Sequence, residues 1–540
     1  MEKLDQKPPH YIIGTRGSLL ALTQCLQIKK ELEAFNQASF SLKIISTQGD
    51  ENTQAPLWQL DGKDFFTKEL DAALLNNEVD MVVHSYKDLG SERPLGIKLA
   101  AITKRDYPHD ILFIRKDSKE KLLNKELKTF VVGTSSPRRM TNLEANLRPF
   151  LPFGEEMEIE VKTKSLRGNV NSRLEKCLKG DFDGVVLALP GIERLAIGLD
   201  NEKNEAYEKF GNPIIILKEL IKELDFMVLP LSSFPAAASQ GALGIECLEK
   251  RVDDNHLENL IAKLNHTQTI KEVTEERLLF KSYGGGCYLA VGISVNAWSE
   301  GLRKSLAGNT DGEEIKELSL IRVEPLPKID GKSFIGLPNT SSFDGVINDK
   351  LSKKGALDNP LSIKTDQDVL ITSPSVLRII KEKLNDKLNV NHSPNWWASG
   401  VKTMKEMAAN GQWVHGCADS LGEPHLGKIR NSKLINLFLD QPNWLSLSHQ
   451  EASSGLGEVH PIYKREFEEE LPQSYREDVE SCSMYYWTSF PQYVSFKNRF
   501  NLNPLAVHAC GLGKTFEQLK KENIKLIPIA SMLELKTWLK

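Results

Sequence analysis

Short apolar runs alternate with amphipathic stretches through the first 250 residues. YIIG (11–14), LKIIST (42–47), DMVVHSY (80–86), FVVGTSS (130–136), IEVKT (159–163) and DGVVLAL (183–189) read as strands. Apolar positions recur at helical spacing in SLLALTQCLQIKKELEAF (18–35) and NSRLEKCLKG (171–180). Strands alternating with helices predict an α/β architecture with largely parallel sheets. Residues 252–325 change character: two helical stretches lead to Cys287, and the strands AVGISVNAW and LSLIRVEPL follow. That pattern predicts a small α+β unit. Pro325, Pro327 and KIDGK mark a boundary near residue 330. Beyond it a second α/β region carries a weak internal echo. DVLITSPSVLRIIKEKL with WWASGVKTMKEMAANGQWVHG is one copy, and YYWTSFPQYVSFKNRF with AVHACGLGKTFEQLKKENIKLIPI is the other. Each reads strand, Thr-Ser turn, helix, strand, Lys-Thr turn, helix, as duplication of one α/β unit would leave.

At 540 residues the chain has room for roughly three to five domains. A formal net charge of −4 points to neither a nucleic-acid nor a membrane-surface binder. MEKLDQKPPHYIIG lacks the pattern of a signal peptide, and the best apolar run, FMVLPLSSFPAAA, is short and broken by Pro230 and Pro235. Seven scattered cysteines, with no Cys-x-x-Cys pair, argue against a disulfide framework or a zinc ribbon. A cytoplasmic location is expected, where Cys287 stays a free thiol.

Candidate chemistry gathers at a few turns. Gly284-Gly285-Gly286-Cys287 sets a thiol on a bare loop: either the cysteine follows a helix cap, or a bulky group must reach its sulfur. Gly14-Thr15-Arg16-Gly17-Ser18, Gly133-Thr134-Ser135-Ser136-Pro137-Arg138-Arg139 and Ser165-Leu166-Arg167-Gly168-Asn169-Val170-Asn171-Ser172-Arg173 each open a helix after a strand. Ser136 suits the N-cap and Pro137 the first helical position. Free N–H groups at helix starts attract anions, and arginine adds a two-pronged donor for carboxylate or phosphate. One such arginine is usually only solvated; several on equivalent turns suggest a shared polyanionic ligand. HSYKD ends an otherwise apolar strand, and Asp88 either accepts an N–H from a substrate or merely caps the turn or pairs with Lys87 or an arginine. HACGLGKT (508–515) mimics a phosphate-binding loop, but His508 stands where its first glycine belongs.

GTRGSLLALTQ, DGKDFFTKELDAALL, VVHSYKDL, VVGTSSPRRM, SLRGNVNSRLEKCLKGDFDGVVLALPGIERL, QGALGIEC and GGGCYLAVG stand in the order seen in porphobilinogen deaminases, also called hydroxymethylbilane synthases. The resemblance covers about residues 10–325. It implies two periplasmic-binding-protein-like α/β domains plus a small α+β domain: 10–105 with 225–250, 106–224, and 251–328. It also implies a dipyrromethane cofactor joined to Cys287 by a thioether. The substrate would be porphobilinogen and the product a linear tetrapyrrole, on the route to heme. By the resemblance Asp88 is catalytic and faces pyrrole nitrogens; Lys87, Ser135, Arg138, Arg139, Asn169 and Arg173 hold the cofactor; Arg16, Ser18, Lys63, Arg167 and Arg194 hold substrate. No metal, nucleic acid or membrane partner is implied, and a monomer is expected.

Some positions depart from the family. Asp61 and Asp64 stand in the loop that usually reads Gly-Gly-Lys-Gly, and His109 replaces an arginine in Pro108-His109-Asp110. Pro137 replaces a leucine, and Ser239 stands where a glycine usually precedes Gln240. Residues 332–540 resemble, more weakly, uroporphyrinogen-III synthase, which implies a two-domain α/β region and a fusion of consecutive enzymes. Thr372, Ser373, Ser375, Thr403, Thr488, Ser489, Tyr493 and Thr515 are its candidate contacts from turn positions, each equally able to serve as a helix cap. The competing readings are a deaminase with a degenerate C-terminal domain, and a two-lobed anion-binding module without catalysis.

Overall fold

The computed structural model describes residues 8–47, 67–90, 92–198, 211–253, 255–286, 288–310, 312–338, 343, 345–384, 394–468 and 470–540. Cys287, Lys63, Asp61 and Asp64 lie outside them. Ten strands build the first part: β1 (His10–Arg16), β2 (Ser39–Ile45), β3 (Met81–Ser85), β4 (Ile97–Ile102), β5 (Asp110–Arg115), β6 (Thr129–Gly133), β7 (Glu160–Lys164), β8 (Gly184–Ala188), β9 (Leu224–Val228) and β10 (Leu243–Leu248). They form two five-stranded sheets, ordered β2-β1-β3-β10-β4 and β7-β6-β8-β5-β9. In each, three parallel strands adjoin one that runs antiparallel, β10 in the first and β5 in the second. The central strands are apolar runs covered on both faces, as strands between two helical layers must be; Ile111, Leu112, Phe113 and Ile114 of β5 are all fully buried.

Each antiparallel strand is delivered by the chain as it changes lobes, once through 103–109 and once through 229–242. The two crossings are bonded to each other. Arg105 Nε donates to Gln240 O at 2.9 Å, Gln240 Nε2 to Pro108 O at 2.7 Å, and Asp106 N to Gly241 O at 3.2 Å. One expected boundary is corrected here. The return segment 225–250 does not belong whole to the first lobe, because β9 pairs antiparallel with β5 along the edge of the second sheet. Leu-Asp-Phe-Met-Val is an apolar run that would suit either sheet, so its sequence cannot say which edge it joins.

The third unit is an antiparallel sheet of β11 (Ala290–Trp298), β12 (Gly301–Thr310) and β13 (Glu313–Ile321), with the helix Thr267–Ser282. The helix His256–Ala262, expected with it, packs on the first lobe instead, where Leu257, Leu260 and Ile261 join the core of Tyr11, Ile13 and Met81. Gly284, Gly285 and Gly286 have φ of 89°, 61° and 103°. Three successive left-handed residues can only be glycine without strain, so the run before Cys287 is fixed by backbone geometry.

The remainder holds β14 (Ser333–Ile335), β15 (Ile347–Asn348), β16 (Ser352–Ala356), β17 (Asp368–Ile371), β18 (Asn395–Ala398), β19 (Val414–Cys417), β20 (Trp444–His449), β21 (Glu458–Phe467), β22 (Met484–Trp487), β23 (Val507–Gly511) and β24 (Leu526–Ile529). Their sheets are β16-β21-β20-β17-β18-β19 and β15-β14-β22-β23-β24. The sequence echo corresponds to two parallel strand–helix–strand–helix–strand runs, β17 to β19 and β22 to β24.

The two parts share a core. Edge strands β9 and β19 lie against each other, with Phe226, Trp397, Trp413 and Trp444 buried along the seam. Trp413 Nε1 donates to Phe226 O at 3.0 Å. The Glu193 carboxylate accepts the backbone N–H groups of Lys433 and Leu434 at 2.8 and 2.9 Å. The first crossing is gripped as well. Tyr107 OH donates to Lys428 O at 2.9 Å, and His109 Nε2 lies 3.4 Å from His425 Nε2.

Two outcomes follow. Trp397→Ala should cost about 3–5 kcal/mol, the range for a truncated buried tryptophan, and calorimetry should show one cooperative transition for both parts rather than an early melt of the C-terminal one. Burial pulls His425 down from 6.5 to about 4, and burial with the neighbouring His425 pulls His109 well below 6.5. The unfolded chain therefore binds protons that the folded one refuses, and stability should fall as pH drops below about 6.5 toward 4. Melting temperatures across that window check this; a flat profile would contradict it.

Candidate active site

The site lies where the crossings meet the ends of β3, β6 and β7. Its centre is Asp110, the first residue of β5, with 1% of its surface exposed. Arg139 holds it with two prongs, Nη2 to Oδ1 at 2.7 Å and Nε to Oδ2 at 3.1 Å. Arg138 Nη2 adds a third contact at 2.9 Å, and Gln240 Nε2 a fourth at 2.9 Å. Burial alone would raise the Asp110 carboxyl, but the two guanidiniums outweigh it and hold the group well below the ordinary carboxylate range. Both arginines come from the helix Pro137–Asn146. Pro137 starts that helix as expected, and Ser136 takes the N-cap position without a side-chain bond. Arg138 Nη1 also donates to Pro235 O at 2.7 Å, in the second crossing.

Lys87 reaches the same cluster from the end of β3, donating to Gln240 Oε1 at 3.2 Å. Burial, together with Arg139 and Arg138, pushes its amine down to about 8 against the pull of Asp88 and Asp110. Next to it, Asp88 ends a turn of 3-10 helix, Tyr86–Asp88. Its side chain is exposed and accepts no hydrogen bond from the described residues, so it acts neither as a cap nor as half of an ion pair there. The turn itself is fixed from the third unit, because Arg277 donates to the carbonyls of Leu89 and Gly90 at 3.2 and 2.8 Å.

Arg173 lies within the field of Arg139 and Arg167, and its one bond among the described residues is Nε to Gly168 O at 2.8 Å. Burial and these two cations pull it down to about 10. Among the described residues, the carboxylates that Lys87, Arg138, Arg139 and Arg173 face are thus Asp88 and Asp110. That surplus of positive charge, half-buried, fits a group bearing carboxylates.

Other candidate residues are occupied in holding the turns. Ser18 caps the helix Leu19–Glu33 and accepts from Ala21 N, and Asn169 caps Val170–Leu178 and accepts from Ser172 N. Ser135 Oγ donates to Leu166 O at 2.7 Å and accepts from Leu166 N at 2.9 Å, tying two anion-facing turns together. Arg194 is buried against Asp106 at 2.7 Å and Gly241 O at 2.7 Å, at the crossing rather than in the open cleft. Arg16 ends β1 and Arg167 follows β7, both half-exposed. Asp110 and Gln240, the hub of the site, were not among the candidates. Only the adjacency of Asp110 to the His109 departure hinted at it.

A second cationic cluster occupies the C-terminal part. Lys354, Arg378 and Lys402 are exposed and Arg465 is half-buried. Partial loss of water around its amine, though the residue as a whole is exposed, and the other three cations lower the Lys354 amine. Lys354 and Arg378 both donate to Ser375 Oγ, the latter at 3.1 Å, and Arg465 Nη1 donates to Ser489 Oγ at 3.3 Å. None of the four has a carboxylate partner among the described residues. Other candidates here serve the fold: Thr372 Oγ1 donates to Leu447 O, Thr488 Oγ1 to Gly336 O, and Tyr493 OH to Glu522. Thr403 is buried in its helix, and Thr515 lies in the helix Lys514–Leu519. Ser373 Oγ is buried without a hydrogen-bond partner among the described residues.

Two α/β lobes joined by paired crossings, with cations converging on the joint, define a two-lobed α/β protein with a cationic joint. Residues 11–258 match the model "Porphobilinogen deaminase, dipyromethane cofactor binding domain". The porphobilinogen deaminase of Nostoc sp. is 33% identical over 305 residues, 56% of this chain and 83% of that protein. That of Shouchella clausii is 36% identical over 307 residues, 56% of this chain and 86% of that protein. The chain belongs to the porphobilinogen deaminase family and carries its dipyrromethane-binding domain. Among solved structures, uroporphyrinogen-III synthetase from Helicobacter pylori 26695 aligns with 39% of this chain and 100% of its own, at 14% identity and a TM-score of 0.26, too slight a likeness to bear on function.

Asp110→Asn should leave two buried guanidiniums sharing no charge and destabilise the protein by about 3–5 kcal/mol, read by denaturant melts. Lys87, at about 8, should be half unprotonated at pH 8, whereas an ordinary lysine is unprotonated well below about 1%. Brief acetic anhydride treatment at pH 8 should therefore acetylate Lys87 ahead of exposed lysines in a peptide map.

Proposed function

We propose that this chain has the deaminase activity of its family. It would condense porphobilinogen units head to tail, with loss of ammonia, on a dipyrromethane held through Cys287, in tetrapyrrole biosynthesis. The observation that carries this is the unengaged Asp88 carboxylate set beside a surplus of buried cations. Bound, the dipyrromethane supplies a nucleophilic pyrrole carbon and the first acidic side arms. Arg173, whose terminal nitrogens have no partner among the described residues, is the side chain best placed to bind a carboxylate directly, supported by Arg167, Arg16 and the field of Arg138 and Arg139. Asp88 is free to accept a pyrrole N–H and to stabilise positive charge as the carbon–nitrogen bond to ammonia breaks. Lys87 donates to Gln240 and keeps the Asp88 turn facing the arginines.

The cysteines support the attachment point. The six others, Cys25, Cys177, Cys247, Cys417, Cys482 and Cys510, are buried. Burial pushes Cys25, Cys177, Cys482 and Cys510 up to about 12 and Cys247 to about 11, and raises Cys417 well above its ordinary value. A thiolate is the nucleophile in thioether formation, so none of these six is suited to it.

A second reading concerns residues 332–540. The cluster of Lys354, Arg378, Lys402 and Arg465 favours a polycarboxylate ligand there as well. We propose that this part closes the linear tetrapyrrole to uroporphyrinogen III, which makes the chain a fusion of consecutive enzymes. A non-catalytic domain gives no reason for four cations without a carboxylate partner among the described residues.

Intact-mass measurement tests the first reading. Wild-type protein should carry a covalent adduct of dipyrromethane mass that is missing from Cys287→Ser; an anion-binding module would carry none. Asp88→Ala should keep the adduct and the fold while lowering turnover by about 10²–10⁴-fold, the usual contribution of a positioned acid–base group. For the second reading, porphobilinogen is supplied and the uroporphyrinogen isomers are separated. Type III is expected from wild type, and Lys354→Ala/Arg465→Ala should shift the product toward type I. Type I alone from wild type would refute the cyclase.

A further inference from the structure

We infer that Asp419, in the C-terminal part, is a positioning residue for the deaminase site, and this rests on the deaminase reading above. Asp419 follows β19 and is 2% exposed. It and Ser420 both have left-handed φ, 48° and 62°, a backbone that side-chain-bearing residues rarely adopt. The turn aims the carboxylate into the joint between three parts of the molecule.

Every oxygen of Asp419 is engaged across that joint. Oδ1 accepts from Ser232 Oγ, and Oδ2 accepts from Ser232 N at 3.0 Å and Arg303 Nη2 at 3.3 Å. Its carbonyl accepts from Arg303 Nη1 at 2.5 Å. Arg303 is fully buried on β12, the middle strand of the third unit, and Asp419 is its one carboxylate partner among the described residues. Ser232 lies in the second crossing.

That crossing carries the site. Three residues beyond Ser232, the Pro235 carbonyl accepts Arg138 Nη1, and further on Gln240 bonds both Asp110 and Lys87. Between these points the crossing is laid on β11: Ile293 N donates to Ala236 O at 2.8 Å, and Ala236 N donates to Ser294 Oγ at 2.7 Å. The approach is close enough that a Cβ on Gly292 would meet Pro235 O at 2.3 Å. β11 is the strand that follows the Cys287 loop. Asp419 thus fixes, at one point, the segment that orients Arg138 and the sheet that leads from Cys287. The C-terminal part does not only follow the deaminase along the chain; it sets the distance between the attachment strand and the arginines.

The test uses the full chain with Ser232→Ala, Asp419→Ala, their double variant, and Trp413→Phe, which removes a seam hydrogen bond that does not touch the crossing. The readouts are kcat and KM for porphobilinogen consumption and hydrogen exchange by peptide. Ser232→Ala and Asp419→Ala should each lower kcat by about tenfold, the scale set by losing one hydrogen bond to a charged group, with KM changed less. The double variant should be no worse than Asp419→Ala, because both remove the same link. Exchange should quicken in 233–242 and 290–298 in both variants, while Trp413→Phe leaves kcat and these peptides unchanged. The inference is overturned if quickened exchange stays within 414–432 with kcat unaltered, or if Trp413→Phe lowers kcat equally. Should Asp419→Ala fail to fold, Ser232→Ala decides the matter alone. If wild type consumes no porphobilinogen, the deaminase reading fails, and the exchange pattern still judges the link through Asp419.

Discussion

One buried carboxylate organises this molecule's chemistry. Asp110 sits where the chain enters the second lobe, and it binds Arg138, Arg139 and, through Gln240, the return crossing. A single anion between two guanidiniums does not neutralise them. It holds two guanidiniums rigid and leaves the surrounding field positive, which is the condition an oligoanionic ligand needs. Because Asp110 also starts the antiparallel strand of the second sheet, the fold and the field are set by the same residue.

Much of the fold was legible along the chain because buried parallel strands are short apolar runs between amphipathic stretches, and here they nearly all are. What escaped was assignment between equivalent positions. Leu224–Val228 is apolar enough for either sheet, and only pairing with β5 decides. Trp397, Trp413 and Phe226 read as ordinary core, and nothing in their spacing says that they face one another across two separate sheets. The site divides likewise. Arg138, Arg139 and Asp88 stand in recognisable motifs, whereas Asp110 is one acid at the head of a strand. The C-terminal cations come from four segments, Lys354, Arg378, Lys402 and Arg465, joined only in space. Ser18 and Asn169 occupy the right turns but spend their oxygens on helix ends.

Burial sorts the reactive groups. Six cysteines are buried with their thiols raised, so thiolate chemistry is confined to the remaining one by default. Arg194 is similarly withdrawn, committed to Asp106 where the crossings touch. The same logic separates Lys87 from the exposed lysines: close guanidiniums and lost water lower its amine, while Asp88 beside it keeps the charged form accessible.

The seam between β9 and β19 also bears on inheritance. Phe226, Trp397 and Trp413 are shared interior, so neither part can be expressed alone without presenting an aromatic face to solvent. A lineage carrying this chain is committed to making both parts in equal number. Separating them would require rebuilding that face first, residue by residue, on both sides.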